Sequence, residues 1–88
     1  MMLNQAVLVG RIKYISPDFM DIAVFNSSDK EEYDLITVSI PENISKHANE
    51  YCTLNDLVGI KGKLANKAGK LVVVANKMTF LSSTKGGD

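Results

Sequence analysis

Along most of this chain the apolar residues recur in short alternating runs separated by turn signals, and after Pro41 alone the spacing changes to that of a helix. Residues 5–12 form an apolar run rich in Val and Leu that predicts a long first strand, with a bend or bulge at Gly10. Ser16-Pro17-Asp18 is a turn signal, and residues 19–26 return to an apolar, aromatic pattern that makes a second strand. A polar loop over residues 26–32 leads into a third strand, residues 33–40. There Ile36, Val38 and Ile40 alternate toward the core, while Tyr33, Leu35, Thr37 and Ser39 point outward.

Ile44, Ala48 and Tyr51 then fall at i, i+4 and i+7, with Pro41 and Glu42 suited to a first helical turn. This stripe assigns Tyr51 to the core. Residues 57–65 alternate again, with Val58, Ile60 and Leu64 on one side and Lys61 and Lys63 on the other. Residues 66–70 read as a hairpin connection with a positive φ at Gly69, and residues 71–81 as the closing strand, with Phe80 in the core. Three strands, one helix and two strands is the order of an all-β, five-stranded OB-fold, a Greek-key barrel with one short helix between strands three and four. Residues 1–82 are expected to form that domain and residues 83–88 a short flexible tail.

At 88 residues there is room for one core only, which excludes enzymes with separate cofactor and substrate domains. A chain this small hides about 60–65% of its unfolded surface, so association with further copies is expected to help it. The longest apolar runs fall far short of the roughly 20 residues needed to cross a bilayer, so no membrane partner is expected. A lone cysteine, Cys52, excludes an internal disulfide and a multi-cysteine zinc site and fits a cytoplasmic location; it reads as a small buried hydrophobe. Net charge is zero, yet the charges are segregated. Residues 1–60 hold Arg11, Lys13, Lys30 and Lys46 against nine Asp and Glu, whereas residues 61–88 hold six lysines against Asp88 alone.

The strings themselves are also familiar. Asn4-Gln5-Ala6-Val7-Leu8-Val9-Gly10-Arg11-Ile12 resembles the opening strand of bacterial single-stranded DNA-binding proteins. Glu32-Tyr33-Asp34-Leu35-Ile36-Thr37-Val38 is similar to that family's third strand, and residues 45–51, 58–64 and 71–81 are similar to its helix and last two strands. The resemblance spans about residues 3–82. It implies single-stranded DNA as partner, bound on the outer face of the barrel, and a homodimer or homotetramer built by pairing of first strands. Only Tyr33 among the outward third-strand positions is able to stack on a base, and the chain has no Trp. Since a stacked base contributes about 1–3 kcal/mol, binding weaker than the family norm is expected. The chain also stops beyond the last strand without the family's acidic tail, so replication proteins are not expected to be recruited by that route. In these respects it also resembles primosomal replication protein N, which points to an alternative as an interaction adaptor among replication proteins, with weak or no DNA binding.

The candidate DNA-binding residues follow from strand phase. Lys61 and Lys63 share a face of the fourth strand and Lys67 and Lys70 flank its hairpin tip, an arrangement suited to tracking phosphates. Arg11 and Lys13 share a face of the first strand and suit salt-sensitive phosphate contacts. Tyr33 is the first stacking candidate. Phe25, out of phase with Met20, Ile22 and Val24, is the second, and Tyr14 and Phe19 near the turn are weaker ones. His47 has no nucleophile in a recognised spacing, and the acidic residues form no calcium loop, so no catalytic residue, metal or cofactor is expected.

Overall fold

Alternating β-branched and aliphatic residues build five strands in a computed structural model, which describes residues 3–25 and 32–82. In chain order these are β1 (Ala6–Ile15), β2 (Phe19–Phe25), β3 (Tyr33–Ser39), the helix α1 (Glu42–Tyr51), β4 (Leu57–Lys67) and β5 (Lys70–Ser82). They close a barrel in the order β1-β2-β3-β5-β4, antiparallel throughout except for the β3–β5 pair. The expected OB-fold is therefore present, with its helix between β3 and β4. Most of the loop expected over residues 26–32, the tail expected over residues 83–88, and the side chains of His47 and Ala48 lie outside what is described.

Ile12, Met20, Ile22, Val38, Ile40, Val58, Ile60, Val73 and Ala75 fill the barrel, and Ile44 and Cys52 pack toward them from the helix and its exit. Each fully buried Ile or Met contributes about 1.5–3 kcal/mol, so these side chains account for the closure of the wall. The helix begins where Pro41 offers its carbonyl to the N–H groups of Ile44 and Ser45, both at 2.9 Å, and Glu42 occupies the favourable first turn. At its other end Asp56 is wholly buried. One of its carboxylate oxygens accepts from the Thr53 N–H at 2.9 Å and the other from the Thr53 hydroxyl at 3.0 Å, which fixes the turn into β4.

Four expectations need correction. The irregularity in β1 falls at Lys13, where the register against β2 shifts between Ile12 and Tyr14, and not at Gly10. Gly10 serves close approach instead: a Cβ there would collide with the carbonyl oxygen of Ala23 on β2. Tyr51 is 63% exposed, while Ile44 at the start of the same stripe packs against the barrel. Phe80 is 44% exposed even though it pairs directly with the wholly buried Val58 on β4. Leu64 is exposed because β4 continues past the core into the hairpin. There it rims an apolar mouth of about 180 Å³ with Ala6, Leu8, Ile36 and Leu71.

Candidate functional site

The alternation that buries Met20, Ile22 and Val38 turns the intervening residues of β2 and β3 outward in matched pairs. Phe25 faces Tyr33, Asp21 faces Thr37 and Phe19 faces Ser39, while Ala23, paired with the exposed Leu35, is itself wholly buried. Phe25 and Tyr33 are 40% and 46% exposed, and their rings meet edge-on with centroids 5.4 Å apart. Their outward direction was legible from phase alone. At the other end of the face Phe19 lies against Tyr14, with centroids 5.6 Å apart. Between the two ring pairs Asp21 accepts a hydrogen bond from the Thr37 hydroxyl at 2.9 Å.

The cross-strand ladder continues this face onto the hairpin of β4 and β5. Ser39 pairs with Val74 and Val74 with Lys63, so Phe19, Ser39, Val74 and Lys63 form one outward row over four strands. Lys67 reaches across the same face and donates to the Ser39 hydroxyl at 3.1 Å, while Lys70 stands opposite Lys67 beside the tip. The tip is a two-residue turn in which both Ala68 (φ 53°) and Gly69 (φ 81°) are left-handed, and Asn66 accepts from the Gly69 N–H at 3.0 Å. Gly69 adopts that geometry freely, whereas Ala68 is strained in it.

Lys61 belongs to a different row. It stands between Val7 on β1 and Lys77 on β5, because β5 carries an extra residue, Asn76, that shifts the register between Lys61 and Gly62. Val7, Val9, Lys61, Lys77 and Thr79 line a shallow cleft of about 230 Å³ on the outer wall of β1, β4 and β5. Lys77 was missed from sequence because the bulge that aims it at Lys61 has no local signature. Arg11 and Lys13 converge on a third place. Arg11 donates through Nη1 to the Asn55 carbonyl and Lys13 through Nζ to Asn55 Oδ1, both at 2.9 Å. The expected basic set is thus spread out: Lys63 and Lys67 adjoin the Phe19–Ser39 end of the face, Lys70 stands beside the tip, Arg11 and Lys13 meet Asn55, and Lys61, on the same side of β4 as Lys63, stands opposite Lys77 on β5.

Cys52 is buried near Asp56. Burial first, and the Asp56 charge second, push its thiol from 9.0 up to about 11, which keeps it protonated and unreactive. No group of three or more His, Cys, Asp or Glu side chains able to hold a metal occurs among the described residues, and no helix among them is long and apolar enough to cross a membrane.

Solved structures share this architecture. The mitochondrial single-stranded DNA-binding protein Rim1 of S. cerevisiae superposes with a TM-score of 0.79 at 20% identity, over 93% of this chain and 98% of that one. A small single-stranded DNA-binding protein of Streptomyces coelicolor gives 0.74 at 16% identity over the whole of both chains. A Plasmodium falciparum protein of the same description, solved with single-stranded DNA, gives 0.70 at 16% identity over 93% and 97%. No protein-family model and no curated protein matches the sequence. At these identities the likeness establishes the fold of the chain.

Proposed function

We propose that the protein binds single-stranded DNA with broad sequence tolerance, as a homo-oligomer acting in DNA replication, repair or recombination in the cytoplasm, and that it is a binder rather than an enzyme. The observation that carries this reading is one outward face of β2 and β3 with the exposed Phe25–Tyr33 ring pair at one end and, at its Phe19–Ser39 end, Lys63 and Lys67 of the hairpin. Rings stack on any base because every base has a π face, and ammonium groups along one side of the strip neutralise phosphates without reading sequence. Arg11 pairs with Ala23 across β1 and β2 and its guanidinium is held at the Asn55 carbonyl, so a further cation stands beyond β2. The shared architecture with a protein solved on single-stranded DNA supports the same reading.

Assembly through β1 has its own support. Residues 6–10 of β1 are bonded to β4, and among the described residues pairing with β2 begins at Arg11, so no described strand covers the other edge of this stretch. Val7 and Val9 beside that edge are 65% and 51% exposed. Pairing with β1 of a second copy would satisfy the edge and cover both valines. The alternative, an adaptor that docks replication proteins, is favoured by this same apolar stretch.

The test is fluorescence anisotropy of labelled oligo-dT at about 50 and about 200 mM salt, a range over which each phosphate contact to a single strand changes affinity about 2.6-fold. Micromolar or tighter binding that weakens steeply with salt is the expected result. No binding at the lower salt sinks the single-strand reading and leaves the adaptor.

A further inference from the structure

A carboxylate in the middle of a face that meets a polyanion is electrostatically misplaced unless it has a use. Asp21 is such a group. It lies on β2 between the Tyr14–Phe19 pair and the Phe25–Tyr33 pair, half-buried, opposite Tyr14 on β1 and Thr37 on β3. The Thr37 hydroxyl donates to Oδ1 at 2.9 Å, which fixes the plane of the carboxylate and leaves acceptor sites on both oxygens. Phosphates are repelled from this position, and the cations that suit them stand at the margins: Lys63, Lys67 and Lys70 on the hairpin side and Arg11 on β1. What remains to approach Asp21 is the edge of a base. Same-face positions on a strand are about 6.6 Å apart, so a base stacked on the Phe19 ring has its edge over Asp21.

The geometry points to Asp21 as a guanine-reading residue within an otherwise sequence-tolerant strip, an inference that rests on the single-strand reading above. An ionised carboxylate only accepts hydrogen bonds. Among the four bases, guanine alone offers two neighbouring donors on one edge, N1–H and the 2-amino group, at the spacing of two carboxylate oxygens. Cytosine and adenine each set one amino group beside an acceptor nitrogen, and thymine sets its N3–H between two carbonyls, so each brings a repulsive lone pair to the carboxylate. Phe19 and Tyr14 then act as the platform that holds the base in place, and Thr37 is a positioning residue.

The experiment compares labelled dT oligonucleotides carrying isolated dG, dA, dC or deoxyinosine at every third position, a spacing that prevents four-stranded guanine structures. With the unaltered protein the dG oligonucleotide is expected to bind about fivefold or more tightly than the others. Deoxyinosine, which lacks the 2-amino donor, is expected to lose most of that advantage, and this arm needs no variant to fold. Asp21→Asn should abolish the dG preference, read as the ratio of dG-oligonucleotide to oligo-dT affinity within the variant, and Thr37→Val should reduce that ratio. Equal affinities for all four oligonucleotides, or a dG preference that survives in Asp21→Asn, would overturn the inference while the single-strand reading stands. Failure to bind any oligonucleotide removes both.

Discussion

The outward face of β2 and β3 carries rings, hydroxyls and one fixed carboxylate, whereas the outward wall of β1, β4 and β5 carries Val7 and Val9 beside the directly opposed Lys61 and Lys77. Both faces are cut from strands of the same alternating pattern, so the difference does not lie in the secondary structure. It lies in what stands beside each residue on the neighbouring strand. The first face ends in a hairpin that folds a lysine over it, and the second borders a stretch of β1 whose other edge no described strand pairs. A stacking strip suits the one and association with another copy suits the other.

The largest effect separating the two faces is expected from Val7→Asp with Val9→Asp, which places charge on that stretch of β1. In sedimentation velocity this variant should run as a monomer and remain folded by circular dichroism; an unchanged oligomer would move the interface elsewhere. Next is Tyr33→Ala, expected to weaken oligo-dT binding by about 1–3 kcal/mol with little effect on oligomeric state. If affinity holds while Tm drops, Tyr33 merely packs against Phe25.

The lysines sharpen the comparison further. Replacing Lys63 and Lys67 together by Ala should cut the loss of affinity between about 50 and about 200 mM salt by roughly sevenfold, for two phosphate contacts. The same change at Lys61 and Lys77 should leave short-oligonucleotide binding unaltered and stabilise the fold by about 0.2–1 kcal/mol, since like charges directly opposed on neighbouring strands repel. Equal effects from the two pairs would erase the distinction between the faces. At the hairpin tip Ala68→Gly removes the left-handed strain on a Cβ-bearing residue, and thermal denaturation should register a gain of up to about 1 kcal/mol.

A last effect, confined to alkaline pH, belongs to neither face. The Cys52 thiol is raised from 9.0 to about 11 in the folded state, so its neutral form is the one that folding favours. Stability from this group is full below about pH 9 and is lost as pH rises from there through 11. Cys52→Ala should flatten that alkaline decline in urea titrations, and an identical decline in the variant would assign it to other groups.

Local order decided much of this protein. A residue's alternation with its chain neighbours was enough to place Phe25, Tyr33 and Leu35 outward, Val38 and Val58 inward, the helix after Pro41 and the turn at Gly69, because side-chain direction in a strand or helix is set by the period alone. The pairings needed the closed barrel. Lys77 meets Lys61 only through the extra residue at Asn76, Lys67 finds Ser39 only because the hairpin folds over β3, and Lys13 is displaced by a bulge that no nearby residue announces. Tyr51, Phe80 and Leu64 have core-like spacing yet stand exposed, although Phe80 and Leu64 pair with the buried Val58 and Val73, since burial depends on what covers a side chain in space and not on its spacing along the strand. Asp56 is the converse, a carboxylate without any sequence motif that becomes wholly buried because Thr53 and the exit of the helix close around it. The period of the sequence gives direction along one strand, and contact between strands distant in sequence gives everything that depends on a neighbour.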